Sequence, residues 1–172
     1  IGKRTGTAAI RMAVDMTKPN GRAGAKWSIS KQEAIMRVGA EHLDQVLHPQ
    51  FAKKGKVLAK GLAASPGAAV GRVYFTADHA VTAHERGEKV ILVRSETSPE
   101  DVHGMMVSQG ILTARGGLVS HAAVVARGWG TPAIVGAEAV RIESKQFRVG
   151  NTVVKEGDPI SIDGTSGEVM LG

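Results

Sequence analysis

A glycine pair precedes a serine and a histidine in Gly116-Gly117-Leu118-Val119-Ser120-His121, and small and β-branched residues follow from Ala122 to Ala126. The glycines break the chain after the short apolar run Gly110 to Ala114. Ser120 reads as an N-cap, and the apolar spacing beyond it predicts a helix from Ser120 to about Arg127. His121 then lies in the first turn of that helix, beside a flexible glycine turn. Free backbone N–H groups and the positive helix end favour an anion there. A histidine so placed can accept a phosphoryl group on a ring nitrogen. The helix end would steady the new charge by about 0.3–1 kcal/mol. On local physics alone, capping or packing is the commoner use of a lone histidine at a helix start.

Three further groups belong to the same neighbourhood. Arg115, before the glycines, and Arg127, six residues beyond the histidine, are candidate phosphate contacts. Six helical residues turn through about 240° and advance about 9 Å, so Arg127 does not share a face with His121 unless its long side chain reaches back. Ser120 can bond the helix start, the imidazole or a phosphate, and the cap role leads. The other histidines, His42, His48, His79, His84 and His103, form no His-Glu-x-x-His pattern. His79 and His84 are five apart, off the spacing of a zinc pair on one helix face, so no metal site is expected. Glu100-Asp101 is explained by helix-start electrostatics, and Asp158 and Asp163 by turns.

The elements that must carry these groups follow from pattern. Thr5–Met16 has helical spacing, and Pro19-Asn20-Gly21 marks a turn within the loop that follows. Ser30 and Glu33 make a capping-box pattern ahead of a helix from Lys31 to Val38. A second short helix spans Ala40–Leu47, and Lys53–Lys60 reads as a Lys-rich linker. A turn at Pro66-Gly67 leads to a strand over Ala68–Phe75. A helix over Thr76–Arg86 and a strand over Lys89–Val93 come next. Ser98, Pro99 and two acids open a helix running to about Ser108. Strands follow at Gly110–Thr113 and Ala133–Val135. Beyond Arg141, closely spaced turns separate Thr152–Val154, Ile160–Asp163 and Glu168–Leu171, which reads as a small layer of hairpins. Alternating strands and helices followed by hairpins predict a layered α/β fold with a sheet of mixed direction.

The 172 residues suffice for one good core or two small units. The chain does not begin with Met, so it is expected to be a processed or excised piece. Cysteine is absent, which fits a cytoplasmic protein and excludes disulfides and thiolate metal sites. No apolar run is long enough to cross a membrane, and no membrane association is expected. The net charge of +6 belongs to the first third, since residues 1–60 carry +8 and residues 61–172 carry −2. The basic residues are scattered without aromatic partners for stacking, so a solvated surface is expected and nucleic acid is not. Gly2-Lys3-Arg4-Thr5 lacks the upstream glycine and the Lys-Ser/Thr pair of a P-loop.

The run Thr113-Ala-Arg-Gly-Gly-Leu-Val-Ser-His-Ala-Ala-Val-Val-Ala-Arg-Gly-Trp-Gly-Thr-Pro-Ala-Ile-Val-Gly136 resembles the phosphohistidine signature of the PEP-utilising enzymes. Ala64-Ser-Pro-Gly-Ala-Ala-Val-Gly71 resembles the entry to that family's swivelling domain. Arg94-Ser-Glu-Thr-Ser-Pro-Glu-Asp-Val-His-Gly-Met105 resembles its dikinase members more than its PEP synthases. The runs Gly2–Ala9 and His42–Phe51 are like the stretch where such enzymes leave the nucleotide-binding domain. The resemblance thus covers nearly the whole chain.

The resemblance implies a layered β/β/α swivelling phosphohistidine domain over 56–172. A short helical segment, the tail of the nucleotide-binding region plus a linker, would occupy 1–55. His121 would take a pyrophosphoryl group from ATP, give one phosphate to inorganic phosphate and pass the other to pyruvate to make PEP, with AMP and pyrophosphate released. Gly116, Gly117, Ser120, Arg115 and Arg127 would form the phosphate neighbourhood. The partners would be the nucleotide-binding and PEP/pyruvate-binding domains of the parent, with the swivel on Phe51–Lys60 and on whatever follows Gly172. Those domains would hold the Mg2+, and this chain would bind no cofactor and be inactive alone. Plant-type members carry a regulatory threonine where this chain has Val119, so that switch is not expected, and Ser120 is the nearby hydroxyl. The alternatives are a carrier domain of PEP synthase or a related phosphotransferase, and a non-catalytic basic binding module.

Overall fold

The computed structural model describes residues 6–18, 28–47, 51 and 55–172. The P-loop-like start, the turn at 19–21 and the histidine at 48 lie outside the described residues. The chain divides into two compact units, Ile1–His48 and Pro49–Gly172.

The first unit contains α1 (Gly6–Met16), α2 (Lys31–Met36) and α3 (Ala40–Leu47). Ser30 caps α2 by accepting the Glu33 N–H at 3.1 Å. The helix stops at Met36, two residues before its expected end at Val38. Of the apolar side chains described here, Ala13 and Ala34 are buried, while Ile35, Met36 and Leu47 stay exposed.

The second unit is built on an eight-stranded sheet. Its strands are β1 (Val57–Lys60), β2 (Leu62–Ser65), β3 (Ala68–Tyr74), β4 (Val90–Arg94), β5 (Gly110–Thr113), β6 (Ala133–Val135), β10 (Pro159–Asp163) and β11 (Glu168–Leu171). Across the sheet the order is β1-β11-β10-β3-β4-β5-β6-β2. The four strands β3 to β6 run parallel to their neighbours among themselves, and the other pairings are antiparallel. The edge strands β1 and β2 are consecutive in the chain and joined only by Gly61. The sheet must therefore curl until its two edges meet. A Cβ on Gly61 would lie 2.7 Å from Ile134 Cγ2 and 2.8 Å from Val135 O, so only glycine fits at that junction.

The curl gives every central strand two buried faces. Ile91 and Val93 point inward with Val73, Leu112, Ile134, Ile160 and Ile162. Val90 and Leu92 point outward with Ile111, Ala133 and Val135, onto α4 (Ala77–Glu85), α5 (Val102–Val107) and α6 (His121–Trp129). These helices meet the sheet through alanines, among them Ala80, Ala83, Ala122, Ala123 and Ala126, which lets backbone approach backbone. The strands β7 (Arg141–Glu143), β8 (Gln146–Val149) and β9 (Thr152–Lys155) form a separate antiparallel sheet. Phe147 and Val154 on it join the inner core, and the Phe147 ring meets Phe75 edge-on, centroids 6.4 Å apart.

The fold is mixed α/β, as the alternation of elements predicts, but two expectations are corrected and one strand that the pattern did not mark is added. Val57–Lys60 is a paired strand of the main sheet, not linker, because alternate burial of Ala59 anchors a Lys-flanked strand against β11. Leu62–Ser65 is likewise a strand, paired with β6. The hairpins beyond Arg141 do not form one small layer. The β10–β11 hairpin completes the large sheet, and the small sheet is made by β9 with two strands whose charged, alternating sequence hid them. The helix opening at Ser98 begins as a 3-10 turn, Pro99–Asp101, before α5. No helix among the described residues is long and apolar enough to cross a membrane.

Candidate functional site

Parallel pairing of β4 and β5, with Arg94 beside Thr113, brings their C-terminal ends to one edge of the sheet. The loops leaving that edge stay zipped for two more residues, as Ala114 N–H donates to Arg94 O and Arg115 N–H to Ser95 O. The first loop carries Glu96 and Thr97, and the second runs through the glycine pair to α6. C-terminal strand ends of parallel sheets are the usual place for ligand groups.

His121 is the first residue of α6. Ser120 precedes it in extended conformation, and its hydroxyl accepts the Ala123 N–H at 3.4 Å, so the expected cap role is observed. Gly116 has φ +100°, and a Cβ there would lie 3.0 Å from Ser120 Cβ. Gly117 needs no such conformation, and a Cβ on it would meet nothing within 4 Å. Its carbonyl accepts the Ser120 N–H at 2.9 Å, tightening the turn into the helix.

The half-buried His121 ring is fixed by a group that sequence reading passed over. Its Nδ1 lies 2.9 Å from Thr97 Oγ1. The Nε2 atom makes no hydrogen bond among the described residues. Both side chains line a cleft of about 210 Å³ with Glu96, Thr113, Arg115, Gly116, Ser120 and Ala122. Arg115 is exposed and sits at this cleft. Arg127 lies outside its lining. It reaches back, as its length permits, but to backbone: Nη2 donates to Leu118 O at 2.6 Å and Nη1 to Ala64 O at 3.3 Å. Arg127 thus braces the histidine loop against β2. Val119, at the loop tip, is 90% exposed.

The cleft contains one carboxylate, Glu96, and among the described residues no three His, Cys, Asp or Glu side chains gather as a metal site. That donor set does not fit a resident Mg2+. Two other histidines are paired away from the cleft, His79 Nδ1 with Glu156 at 3.1 Å and His103 Nε2 with Asp78 at 2.9 Å.

Such an arrangement suits nucleophilic acceptance by Nε2. If Nδ1–H donates to Thr97, the lone pair sits on Nε2, and the helix start and Arg115 favour incoming negative charge. Residues 86–167 match the family model of the PEP-utilising enzyme mobile domain. The chain is also 55% identical to the chloroplastic pyruvate, phosphate dikinase of Flaveria bidentis, and 50% identical to pyruvate, phosphate dikinase of Clostridium symbiosum, over 99% of its length in each case.

Residues 86–167 belong to the mobile-domain family of the PEP-utilising enzymes.

The match to the mobile domain of the PEP-utilising enzymes takes in both loops of the cleft. The chain spans 18% of the Flaveria protein and 20% of the Clostridium one, so it corresponds to a part of such enzymes. An NMR solution structure of Enzyme I aligns over 96% of this chain and 50% of that one, at 18% identity and a TM-score of 0.37. No local signal in the sequence marks Thr97: it lies in the loop after β4, and only the parallel pairing of β4 with β5 puts that loop beside the glycine turn.

Proposed function

We propose that this chain is the phosphoryl carrier of a pyruvate, phosphate dikinase and that His121 is its phosphorylated residue. The observation that supports it most is the imidazole at the start of α6, tethered at Nδ1 by Thr97 within a polar cleft. In this reading Nε2 attacks a phosphorus of ATP, the P–O bond to the leaving group breaks, and AMP departs with that bond's electron pair. One phosphate then passes to inorganic phosphate as pyrophosphate is released; pyruvate loses a methyl proton to a base of its own binding domain, its enolate oxygen takes the second phosphate, and the P–N bond breaks with its electron pair returning to Nε2, giving PEP. Thr97 holds the tautomer and ring plane, and Ser120 keeps the helix start rigid. Gly116 and Gly117 shape the turn, and Arg115 meets the phosphate. Arg127 acts through the backbone it braces. Phosphoryl transfer also needs further cationic stabilisation, which Mg2+ would supply. The donors for it belong to the partner nucleotide-binding and PEP/pyruvate-binding domains.

The carrier domain spans 56–172 in this proposal, preceded by the helical segment 1–55. On its N-terminal side the swivel lies in the connection before β1, since Val57–Lys60 is held in the sheet, and on the other side in whatever follows Gly172. The lack of cysteine supports a cytoplasmic site of action. The piece alone turns over no substrate.

The test uses the full-length parent with ATP and magnesium but no pyruvate. Acid-labile phosphate mapped by mass spectrometry is expected on the peptide containing His121 and lost in His121→Asn. A requirement for inorganic phosphate, with release of pyrophosphate, distinguishes the dikinase from a PEP synthase. No label from either ATP or PEP would overturn the carrier reading.

A further inference from the structure

The loop that presents Thr97 has little to hold it by packing. Ser95, Glu96 and Pro99 are exposed, and Thr97 and Ser98 are only half-buried. Its position is set by polar tethers at both ends. On one side Ser95 O accepts the Arg115 N–H at 2.9 Å, which ties it to the histidine loop. On the other side stands Asp101, 5% exposed at the end of the 3-10 turn. Its Oδ2 accepts the Ser98 N–H at 2.9 Å and faces the Ser98 hydroxyl at 3.4 Å. Its Oδ1 lies 3.2 Å from Arg94 Nε in an ion pair, and Arg94 Nη1 donates to Phe75 O at 3.0 Å. Arg94 ends β4, so the pair closes the base of the loop across which Thr97 reaches His121.

Helix-start electrostatics and capping account for the bonds to Ser98, but not for a buried carboxylate matched to an arginine that is itself anchored to the backbone just beyond the neighbouring strand. Only the carboxylate is buried, the Arg94 side chain being 35% exposed, and a carboxylate taken out of water is a costly way to gain stability and a good way to fix one geometry. We infer that Asp101, with Arg94, is a positioning residue for His121. It acts through Thr97 by holding the 95–98 loop at hydrogen-bond distance from Nδ1. The inference rests on the proposal that Nε2 of His121 is the reactive atom, but its test needs neither ATP nor a partner domain.

The experiment is a double-mutant cycle in this 172-residue chain, comparing Thr97→Val, Asp101→Asn and the double variant, with Arg94→Gln attacking the same pair from its other side. Two quantities are read: the tautomer of His121 by 15N NMR, assigned against His121→Asn, and the rate of its phosphorylation by phosphoramidate, a small donor. Thr97→Val should move the proton toward Nε2 and slow labelling about fivefold, the worth of one hydrogen bond. Asp101→Asn and Arg94→Gln should shift both readings in the same direction, and neither should add to Thr97→Val. An Asp101→Asn or Arg94→Gln effect that persists undiminished without the Thr97 hydroxyl would overturn the inference, as would folded variants of both with wild-type tautomer and rate. A parent that takes no label from ATP, alongside an intact cycle here, would sink the carrier proposal and leave the positioning role standing.

Discussion

Thr97 Oγ1 and His121 Nδ1 lie 2.9 Å apart although one belongs to the loop after β4 and the other opens α6, 24 residues further along the chain. The contact exists because β4 and β5 are parallel neighbours and discharge their loops at the same edge. In the full-length parent, Thr97→Val is expected to slow single-turnover labelling of His121 by ATP about fivefold, from the loss of about 1 kcal/mol of hydrogen bonding. Thr97→Ser should keep most of the rate. Equal rates for the wild type and the valine variant would show that the hydroxyl does not orient the ring.

The two glycines before the helix are not equivalent. Gly116 sits at φ +100° with Ser120 close to where a Cβ would stand, and Gly117 has open space. Gly116→Ala should destabilise the chain by about 1–2 kcal/mol, the usual cost of a side chain in left-handed backbone, lowering Tm by about 3–6 °C. Gly117→Ala should leave Tm nearly unchanged. Thermal unfolding of the pair checks the asymmetry, and similar losses in both would contradict the turn geometry.

Arg127 braces the loop through Leu118 O and Ala64 O. Arg127→Met keeps the stem and removes both bonds, each worth about 1 kcal/mol. Amide exchange should accelerate at residues 116–120 while the β4 amides stay protected. Unchanged exchange in that loop would mean that the turn and cap hold it unaided.

Tyr74 and Glu88 predict a two-sided pH profile. Burial, followed by the hydrogen bond to Glu88, pushes the Tyr74 phenol above its ordinary value. Its contribution to stability is complete below the unfolded value of about 10 and is lost as pH rises through the higher folded value. The bond from Tyr74, then those from Arg86, hold the Glu88 carboxyl below the usual carboxylate range. That contribution is present above the unfolded value of about 4.3 and is lost as pH falls through the lower folded one. Measured against pH, the Tm difference between wild type and Tyr74→Phe should shrink above about pH 10 and at the acid end. A difference constant across that range would contradict the coupling.

Much of the second unit was legible in the sequence because its signals are local. The strands at 110–113 and 133–135 and the cap at Ser120 appear where spacing puts them. β1 and β2 were hidden because a curled sheet whose edges meet at one residue needs only short strands there, one flanked by lysines and the other rich in alanine. β7 and β8 were hidden because only Ile142, Phe147 and Val149 reach inward from charged surroundings.

The sequence by itself determined the helix start, the cap and the histidine upon it, since glycine, serine and small apolar residues impose those conformations within a few bonds. It also carried the resemblance to the PEP-utilising enzymes, spread along the whole chain. Tertiary structure alone decided what the histidine touches. Strand order put Thr97 beside Nδ1, set Asp101 against Arg94, and gave Arg127 the backbone oxygens of Leu118 and Ala64. Each of those contacts depends on which strands lie side by side in the sheet, and pairing between distant segments leaves no periodic trace in either one.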